Sequence, residues 1–159
     1  MADKVFRDDK DELCELAPVA RASIRRHVFV CSGKSCTAAG SAEVKAAFTR
    51  ELTARGLLYG KASKGRNPEG SVLLTDCSSV GFCAVGAAVL VYPDGVWYAR
   101  VRAVDVAEIV EGHIIGGRVV ERLALLKIPS VNEVPGRLDC TSSGGMSPGL
   151  DQTKTGAAS

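Results

Sequence analysis

The turn Pro93-Asp94-Gly95 separates two runs of β-favouring residues, and it is the feature that most constrains the fold of this chain. The first run covers residues 87–92 and the second covers residues 96–101. Proline fixes its own φ, and glycine permits the positive φ that closes a tight turn. The two runs are therefore predicted to form an antiparallel hairpin, because so short a connection cannot cross over to a parallel neighbour.

The segments before this hairpin predict two further strands with a helix between them. Residues 27–30 and 72–74 are short β-rich runs, and each ends at or near a cysteine. Residues 42–55 have apolar side chains at helical spacing, with Ser41 as the expected N-cap and Gly56 as the expected stop. The apolar positions of this helix are Val44, Ala47, Phe48 and Leu52.

A second helix is predicted after the hairpin, over residues 104–115. Its apolar face consists of Val106, Ile109 and Val110. The order is then strand, helix, strand, strand, strand, helix. A crossover helix between two strands favours a parallel pair, whereas the hairpin requires an antiparallel one. The predicted fold class is therefore α/β, with a mixed four-stranded sheet and flanking helices.

Composition divides the chain into three predicted parts. Residues 1–24 are mixed and charged, with a proline that breaks any helix, and are predicted to be a flexible N-terminal arm. Residues 25–127 are the predicted domain. Residues 128–159 are rich in proline, glycine and serine and are predicted to be a disordered C-terminal tail. Cys14 and Cys140 fall outside the domain, where they are poor candidates for metal ligands because binding would also have to order the chain.

Two cysteine pairs carry the chemistry that the sequence suggests. Cys31 and Cys36 have four residues between them, and Cys77 and Cys83 have five. Each pair follows an apolar strand, so strands that run the same way would bring the two loops together. Four thiolates would then meet at one site, and thiolate is a soft ligand that suits iron–sulfur clusters or zinc.

The spacing alone leaves other interpretations open. Buried cysteine without a ligand is common in protein cores. Zinc is also compatible, although structural zinc sites more often have two residues between paired cysteines. A redox disulfide is less favoured, because the chain contains no Cys-x-x-Cys.

Charge and hydropathy exclude several classes of function. The formal net charge is +2, from 20 basic and 18 acidic residues, which gives no electrostatic reason to expect nucleic acid or an anionic membrane as partner. The N-terminus is charged and lacks an apolar signal core, so a cytoplasmic location is expected, where thiols stay reduced. No nucleophile–base pair, paired-carboxylate pattern or phosphate loop is recognisable, so no catalytic residues are predicted.

Residues 25–126 resemble the thioredoxin-like [2Fe–2S] ferredoxins, whose domain also occurs as the small iron–sulfur subunit of respiratory complex I and in NAD-linked hydrogenases. The most specific segment is the hairpin Tyr-Pro-Asp-Gly-Val-Trp-Tyr of residues 92–98, and residues 26–31, 105–113 and 116–123 match as well. The resemblance implies a thioredoxin-like fold, one [2Fe–2S] cluster in loops near the surface, one-electron transfer and often a homodimer.

The chain departs from the family pattern in its second cysteine pair. The family usually has three residues between these cysteines, which would place one at position 79, where this chain has Ser79. Cys77 is expected to replace it, because a thiolate binds iron better than a hydroxyl does, and the expected ligands are then Cys31, Cys36, Cys77 and Cys83. Two alternatives remain: an alkoxide from Ser79, or loss of the cluster.

The leading expectation is a one-electron carrier that exchanges electrons with redox partner proteins. A second possibility is a subunit of a larger NAD- or hydrogen-linked oxidoreductase. A third is a thioredoxin-like interaction module that binds zinc or no metal at all.

Overall fold

Five strands form one mixed sheet in the computed structural model, which describes residues 9–129. The strands are β1 (Arg26–Cys31), β2 (Val72–Cys77), β3 (Val89–Tyr92), β4 (Val96–Tyr98) and β5 (Ala124–Lys127). Their order across the sheet is β2-β1-β3-β4-β5.

Four helices accompany the sheet in the described part of the chain. They are α1 (Lys10–Leu16), α2 (Lys34–Ala38), α3 (Ser41–Ala54) and α4 (Val106–Ile109), and α4 continues as one π-helical segment, Val110–Ile115. Short 3₁₀ turns occur at Pro18–Arg21, Ala62–Lys64, Cys83–Val85 and Ala103–Asp105. No helix among residues 9–129 has both the length and the apolar character needed to cross a bilayer.

The pairing of the strands confirms the predicted mixed sheet but corrects its size. β1 and β2 are parallel and are joined through α3, while β3 is antiparallel to both β1 and β4. The prediction of four strands was one strand short, because β5 pairs with β4 through Trp97 and Leu126. The residues of β5 are leucine, alanine and lysine, which have little intrinsic β preference. The strand therefore depends on pairing with β4.

Helix α3 packs the predicted apolar face against the sheet. Its four predicted positions, Val44, Ala47, Phe48 and Leu52, are all buried. Gly56, with a φ of 66°, follows the end of the helix as expected. The predicted N-cap was wrong by one residue, since Gly40 is the N-cap, with a φ of 90°, and Ser41 is the first helical residue.

The second predicted helix is shorter in α geometry than expected. Its predicted face of Val106, Ile109 and Val110 is buried, as the spacing required. The α-helical part begins at Val106 because residues Ala103–Asp105 form a 3₁₀ turn. The side chains of Tyr98 and His113 are buried between this helix and β4, and the tyrosine oxygen lies 2.8 Å from Nδ1 of the histidine.

The structure describes only part of the two predicted terminal segments. Helix α1 lies within the predicted N-terminal arm and ends before Pro18, so part of that arm is helical and buries Cys14. Cys140 and most of the predicted tail lie outside the described residues. The boundaries of the domain remain predictions.

Candidate metal centre

Strands β1 and β2 end side by side, each with a cysteine as its last residue. Cys31 and Cys77 are partners in the parallel register. The backbone N–H of Ser32 donates a hydrogen bond to the carbonyl of Cys77 at 2.7 Å, which ties the start of the first cysteine loop to the end of β2. The two cysteine loops therefore meet at one edge of the sheet, as the strand order predicted.

Three thiols come together at this edge. The Sγ atoms of Cys31, Cys36 and Cys83 all lie within 4.8 Å of one another, and those of Cys31 and Cys83 are 3.5 Å apart. Cys31 ends β1, Cys36 lies in α2, and Cys83 begins a 3₁₀ turn. The first two are fully buried and Cys83 is half-buried, so the group lies just beneath the surface.

Two glycines let the backbone approach these sulfur atoms closely. A Cβ placed on Gly33 would lie 2.7 Å from the carbonyl oxygen of Ser78 and 3.2 Å from Sγ of Cys83. A Cβ placed on Gly86 would lie 2.7 Å from Sγ of Cys36. Three soft donors in a cradle that excludes side chains fit a thiolate-bound iron–sulfur cluster or metal ion. No pattern in the sequence indicated which glycines touch the thiols.

The four predicted ligands are not all in this group. Cys77 lies outside the group of three thiols, and its Sγ instead contacts the carbonyl oxygen of Val30 at 3.8 Å. Burial, followed by the charge of nearby Cys31, raises the pKa of the Cys77 thiol.

The side chain of Ser79 lies next to the three clustered thiols. Its Oγ lies 3.2 Å from Sγ of Cys83, and the backbone N–H of Gly81 donates to this oxygen at 3.0 Å. Gly81 has a φ of 91°, a conformation that favours glycine. The turn that directs the Ser79 hydroxyl towards Cys83 therefore depends on glycine at position 81. Both residues named as alternatives by the sequence therefore lie near the site, in different surroundings.

Two of the clustered thiols, Cys31 and Cys36, differ in how readily they ionise. Burial opposes ionisation of Cys31, but hydrogen bonds from the backbone of Gly33 and from the thiols of Cys36 and Cys83 outweigh it and lower the pKa of Cys31. Burial raises the pKa of Cys36 to about 11. Cys31 is therefore the first of these two thiols to become a thiolate, and the proton on Cys36 must be released when a metal binds.

Strand β4 contacts the second cysteine loop through an aromatic side chain. The ring of Trp97 meets that of Phe82 edge to face, with ring centroids 5.7 Å apart. No pattern in the sequence pointed to this contact between Trp97 and the loop.

Known proteins with similar sequences are 2Fe–2S ferredoxins. No protein-family model matches this chain. It is 38% identical over 109 residues to a 2Fe–2S ferredoxin of Clostridium pasteurianum, an alignment that covers 64% of this chain and 96% of the relative. It is 37% identical over 110 residues to a 2Fe–2S ferredoxin of Aquifex aeolicus, with 64% of this chain and 90% of the relative covered.

Solved structures agree with this relationship. A structure of the thioredoxin-like [2Fe–2S] ferredoxin from Aquifex aeolicus matches with a TM-score of 0.53 and 33% identity, over 70% of this chain and 99% of that one. A second structure, of the wild-type protein, matches with a TM-score of 0.51 and 34% identity, over 64% of this chain and 97% of that one. The predicted thioredoxin-like fold is thereby confirmed. This chain belongs to the thioredoxin-like [2Fe–2S] ferredoxin family.

Proposed function

We propose that this chain is a one-electron carrier with a single [2Fe–2S] cluster in the loops that follow β1 and β2. The observation that carries the proposal is the group of three thiols, Cys31, Cys36 and Cys83, within 4.8 Å of one another. Family membership supports the same cofactor, because the relatives are 2Fe–2S ferredoxins, which are electron carriers rather than enzymes. When bound, such a cluster supplies a one-electron redox couple.

The surrounding residues are suited to bind and tune such a group. Cys31 and Cys36 are fully buried, so they exclude water from one side of the site. Gly33 and Gly86 bring the backbone against the sulfur atoms. Backbone N–H groups that point at cluster sulfurs raise the reduction potential, and close backbone approach is what permits such bonds. Cys83 is half-buried, which places the site near the surface, where a partner protein can dock.

The fourth ligand comes from the segment that links β2 to Cys83. The sequence predicts Cys77, since a thiolate is the better donor to iron, and this choice would give four cysteine ligands. Ser79 is the alternative, and it is the one whose side chain contacts Cys83.

Electron transfer requires a donor and an acceptor, both of which would dock over the cysteine loops. Lys34 is exposed at the start of α2, between the first two proposed ligands, where it would attract an acidic partner surface. The homodimer and the cytoplasmic location expected from the sequence remain predictions.

The function is tested by analysing the protein after anaerobic purification or reconstitution. We expect two irons and two sulfides per chain, visible charge-transfer absorption, and an electron paramagnetic resonance signal after one-electron reduction. Cys36→Ala should abolish all of these, whereas Cys14→Ser, at a buried cysteine outside the site, should leave them unchanged. A colourless wild-type protein that contains zinc or no metal would contradict the proposal and favour an interaction module.

A further inference from the structure

We infer that Ser79, rather than Cys77, is the fourth ligand, so that three thiolates and one alkoxide oxygen hold the cluster. This inference rests on the proposed function and deepens it. It is carried by the positions of the two side chains relative to the three clustered thiols.

The hydroxyl of Ser79 lies where a neighbouring ligand should lie. Its Oγ is 3.2 Å from Sγ of Cys83. Two donor atoms on one tetrahedral ion, at metal–ligand distances of about 2.0–2.3 Å, lie roughly 3.5 Å apart. The Ser79 oxygen thus already has the separation from Cys83 that shared coordination requires.

The backbone around Ser79 holds this oxygen in place. The N–H of Gly81 donates to Oγ at 3.0 Å. The preceding residue, Ser78, packs its carbonyl against Gly33, where a Cβ would lie 2.7 Å away. A glycine at position 33 therefore allows the segment that carries Ser79 to lie directly against the first cysteine loop.

Cys77 is held in a different environment. As the last residue of β2 it is the register partner of Cys31, and its carbonyl accepts hydrogen bonds from both the N–H and the hydroxyl of Ser32, at 2.7 and 2.8 Å. Its thiol contacts the carbonyl of Val30 at 3.8 Å. These hydrogen bonds fix the backbone at the end of β2, and to join the other three thiols the Cys77 side chain would have to leave the Val30 carbonyl.

Ligation by Ser79 involves one proton and no electron. The O–H bond of Ser79 breaks, a bond from that oxygen to iron forms, and the proton passes to solvent, to which Ser79 is exposed. An alkoxide is a harder donor than a thiolate and stabilises ferric iron more strongly. The reduction potential is therefore expected to be lower than that of the same site with a cysteine at this position.

The test compares four variants of the full chain: Ser79→Ala, Ser79→Cys, Cys77→Ala and Ser78→Ala. Ser78→Ala is the matched control, since this serine is also exposed and is adjacent to Ser79. Each is reconstituted anaerobically. Iron and sulfide per chain, the visible absorption spectrum, the reduction potential and the rate of iron loss to a chelator are measured, with far-UV circular dichroism as the check on folding.

We expect Cys77→Ala and Ser78→Ala to match the wild type in all of these measurements. Ser79→Ala should lose iron to the chelator at least about tenfold faster, because even changes outside the ligand set weaken metal sites by about 10–100-fold. Ser79→Cys should keep its cluster, with absorption shifted to longer wavelength and a higher reduction potential.

Three results would overturn the inference. The first is loss of the cluster in folded Cys77→Ala, and the second is wild-type iron retention in Ser79→Ala. The third, which does not depend on Ser79→Ala folding, is a spectrum and potential of Ser79→Cys that are unchanged from the wild type. In each case the wild type still holds two irons and two sulfides, and the proposed function stands. A wild type without iron or sulfide would instead remove the proposed function itself.

Discussion

The indole N–H of Trp97 donates a hydrogen bond to the backbone carbonyl of Val80, with 3.1 Å between nitrogen and oxygen. Trp97 lies in β4, the second strand of the hairpin, and Val80 lies in the loop that precedes Cys83. This bond, together with the edge-to-face contact between Trp97 and Phe82, attaches the second cysteine loop to the sheet. The hairpin therefore helps to position the site as well as to build the sheet.

Trp97→Phe is predicted to loosen the second cysteine loop without unfolding the domain. Phenylalanine keeps an aromatic ring but cannot donate to Val80, and a net hydrogen bond is worth about 0.5–1.5 kcal/mol. We expect faster loss of iron to a chelator and unfolding at a lower urea concentration. Tyr92→Phe, at an exposed aromatic residue of the same hairpin, is the control and should behave as the wild type. Equal rates of iron loss in the wild type and Trp97→Phe would show that the bond does not hold the loop.

Gly33→Ala is predicted to separate the two cysteine loops. The new Cβ would lie 2.7 Å from the carbonyl oxygen of Ser78 and 3.2 Å from Sγ of Cys83, so the second loop would have to move. Forced overpacking of this kind costs about 1–3 kcal/mol. We expect less iron and sulfide bound per chain after reconstitution, with far-UV circular dichroism unchanged.

Gly112→Ala is the matched control for this substitution. A Cβ at Gly112, which lies in the helical segment after α4, would meet Val120 at 3.4 Å, an ordinary contact. This variant should bind the same amount of iron as the wild type. It should unfold with a free energy equal to the wild type's or up to about 1 kcal/mol higher, because alanine is the better helix former. Full cluster occupancy in Gly33→Ala would mean that the loops tolerate a wider separation.

His113 is predicted to make the stability of the domain fall in mild acid. Burial lowers the pKa of His113 below its usual value of 6.5, although Asp94 opposes the shift. Because the folded pKa is the lower one, the unfolded chain binds the proton more readily. The stabilisation is therefore complete above about pH 6.5 and is lost as the pH falls from there towards the folded pKa.

His113→Gln should flatten this dependence. The slope of unfolding free energy against pH below 6.5 should decrease by up to about 1.4 kcal/mol per pH unit, the limit for one proton. Urea unfolding at a series of pH values between 7 and 5 measures it. Burial also lowers the pKa of His27, the second histidine of the chain, so His27→Gln should have the same effect to a smaller extent, because His27 is the less buried. An unchanged slope in His113→Gln would contradict the assignment.

Several carboxylates in the described residues have a lowered pKa. Among them, neutralising Asp105 is predicted to reduce the free energy of unfolding the most. Burial opposes its ionisation, but hydrogen bonds from Arg102 and Arg122 outweigh this and lower the pKa of Asp105 to about 2. The side chain also accepts a bond from the backbone N–H of Arg102 at 2.9 Å, at the start of the helical segment. Asp105→Asn should reduce the unfolding free energy at pH 7 by about 1–3 kcal/mol, because two guanidinium partners lose their charge pair.

The sign of the pH effect gives a second measurement for Asp105. Its stabilisation is present above the unfolded pKa of 3.8 and is lost as the pH falls towards about 2, so the wild type and Asp105→Asn should converge in stability at strongly acid pH. Glu108→Gln is the control, since Glu108 also pairs with Arg122 but its side chain is half exposed. It should cost less than about 1 kcal/mol, as surface ion pairs do. A larger loss in Glu108→Gln than in Asp105→Asn would reverse this ranking.

Sequence patterns located the elements whose side chains have a clear period. The face of α3, with Val44, Phe48 and Leu52, could be found because every third or fourth residue is apolar. The hairpin could be found because Pro93 and Gly95 have turn chemistry of their own. β5 could not be found, because residues such as Leu125 and Leu126 have no local signal for a strand.

The chain order of strands and cysteines by itself determined that the loops after β1 and β2 would meet at one edge of a mixed sheet. A parallel pair of strands carries its following loops to the same end, whatever the details of packing. Only the tertiary structure decided the surroundings of each side chain. Cys77 and Ser79 are two residues apart in the chain, yet one contacts a strand carbonyl and the other contacts Cys83. That difference arises from the local turn at Gly81 together with the register of β1 and β2 and the close approach at Gly33. The last two are contacts between distant segments that no local spacing encodes.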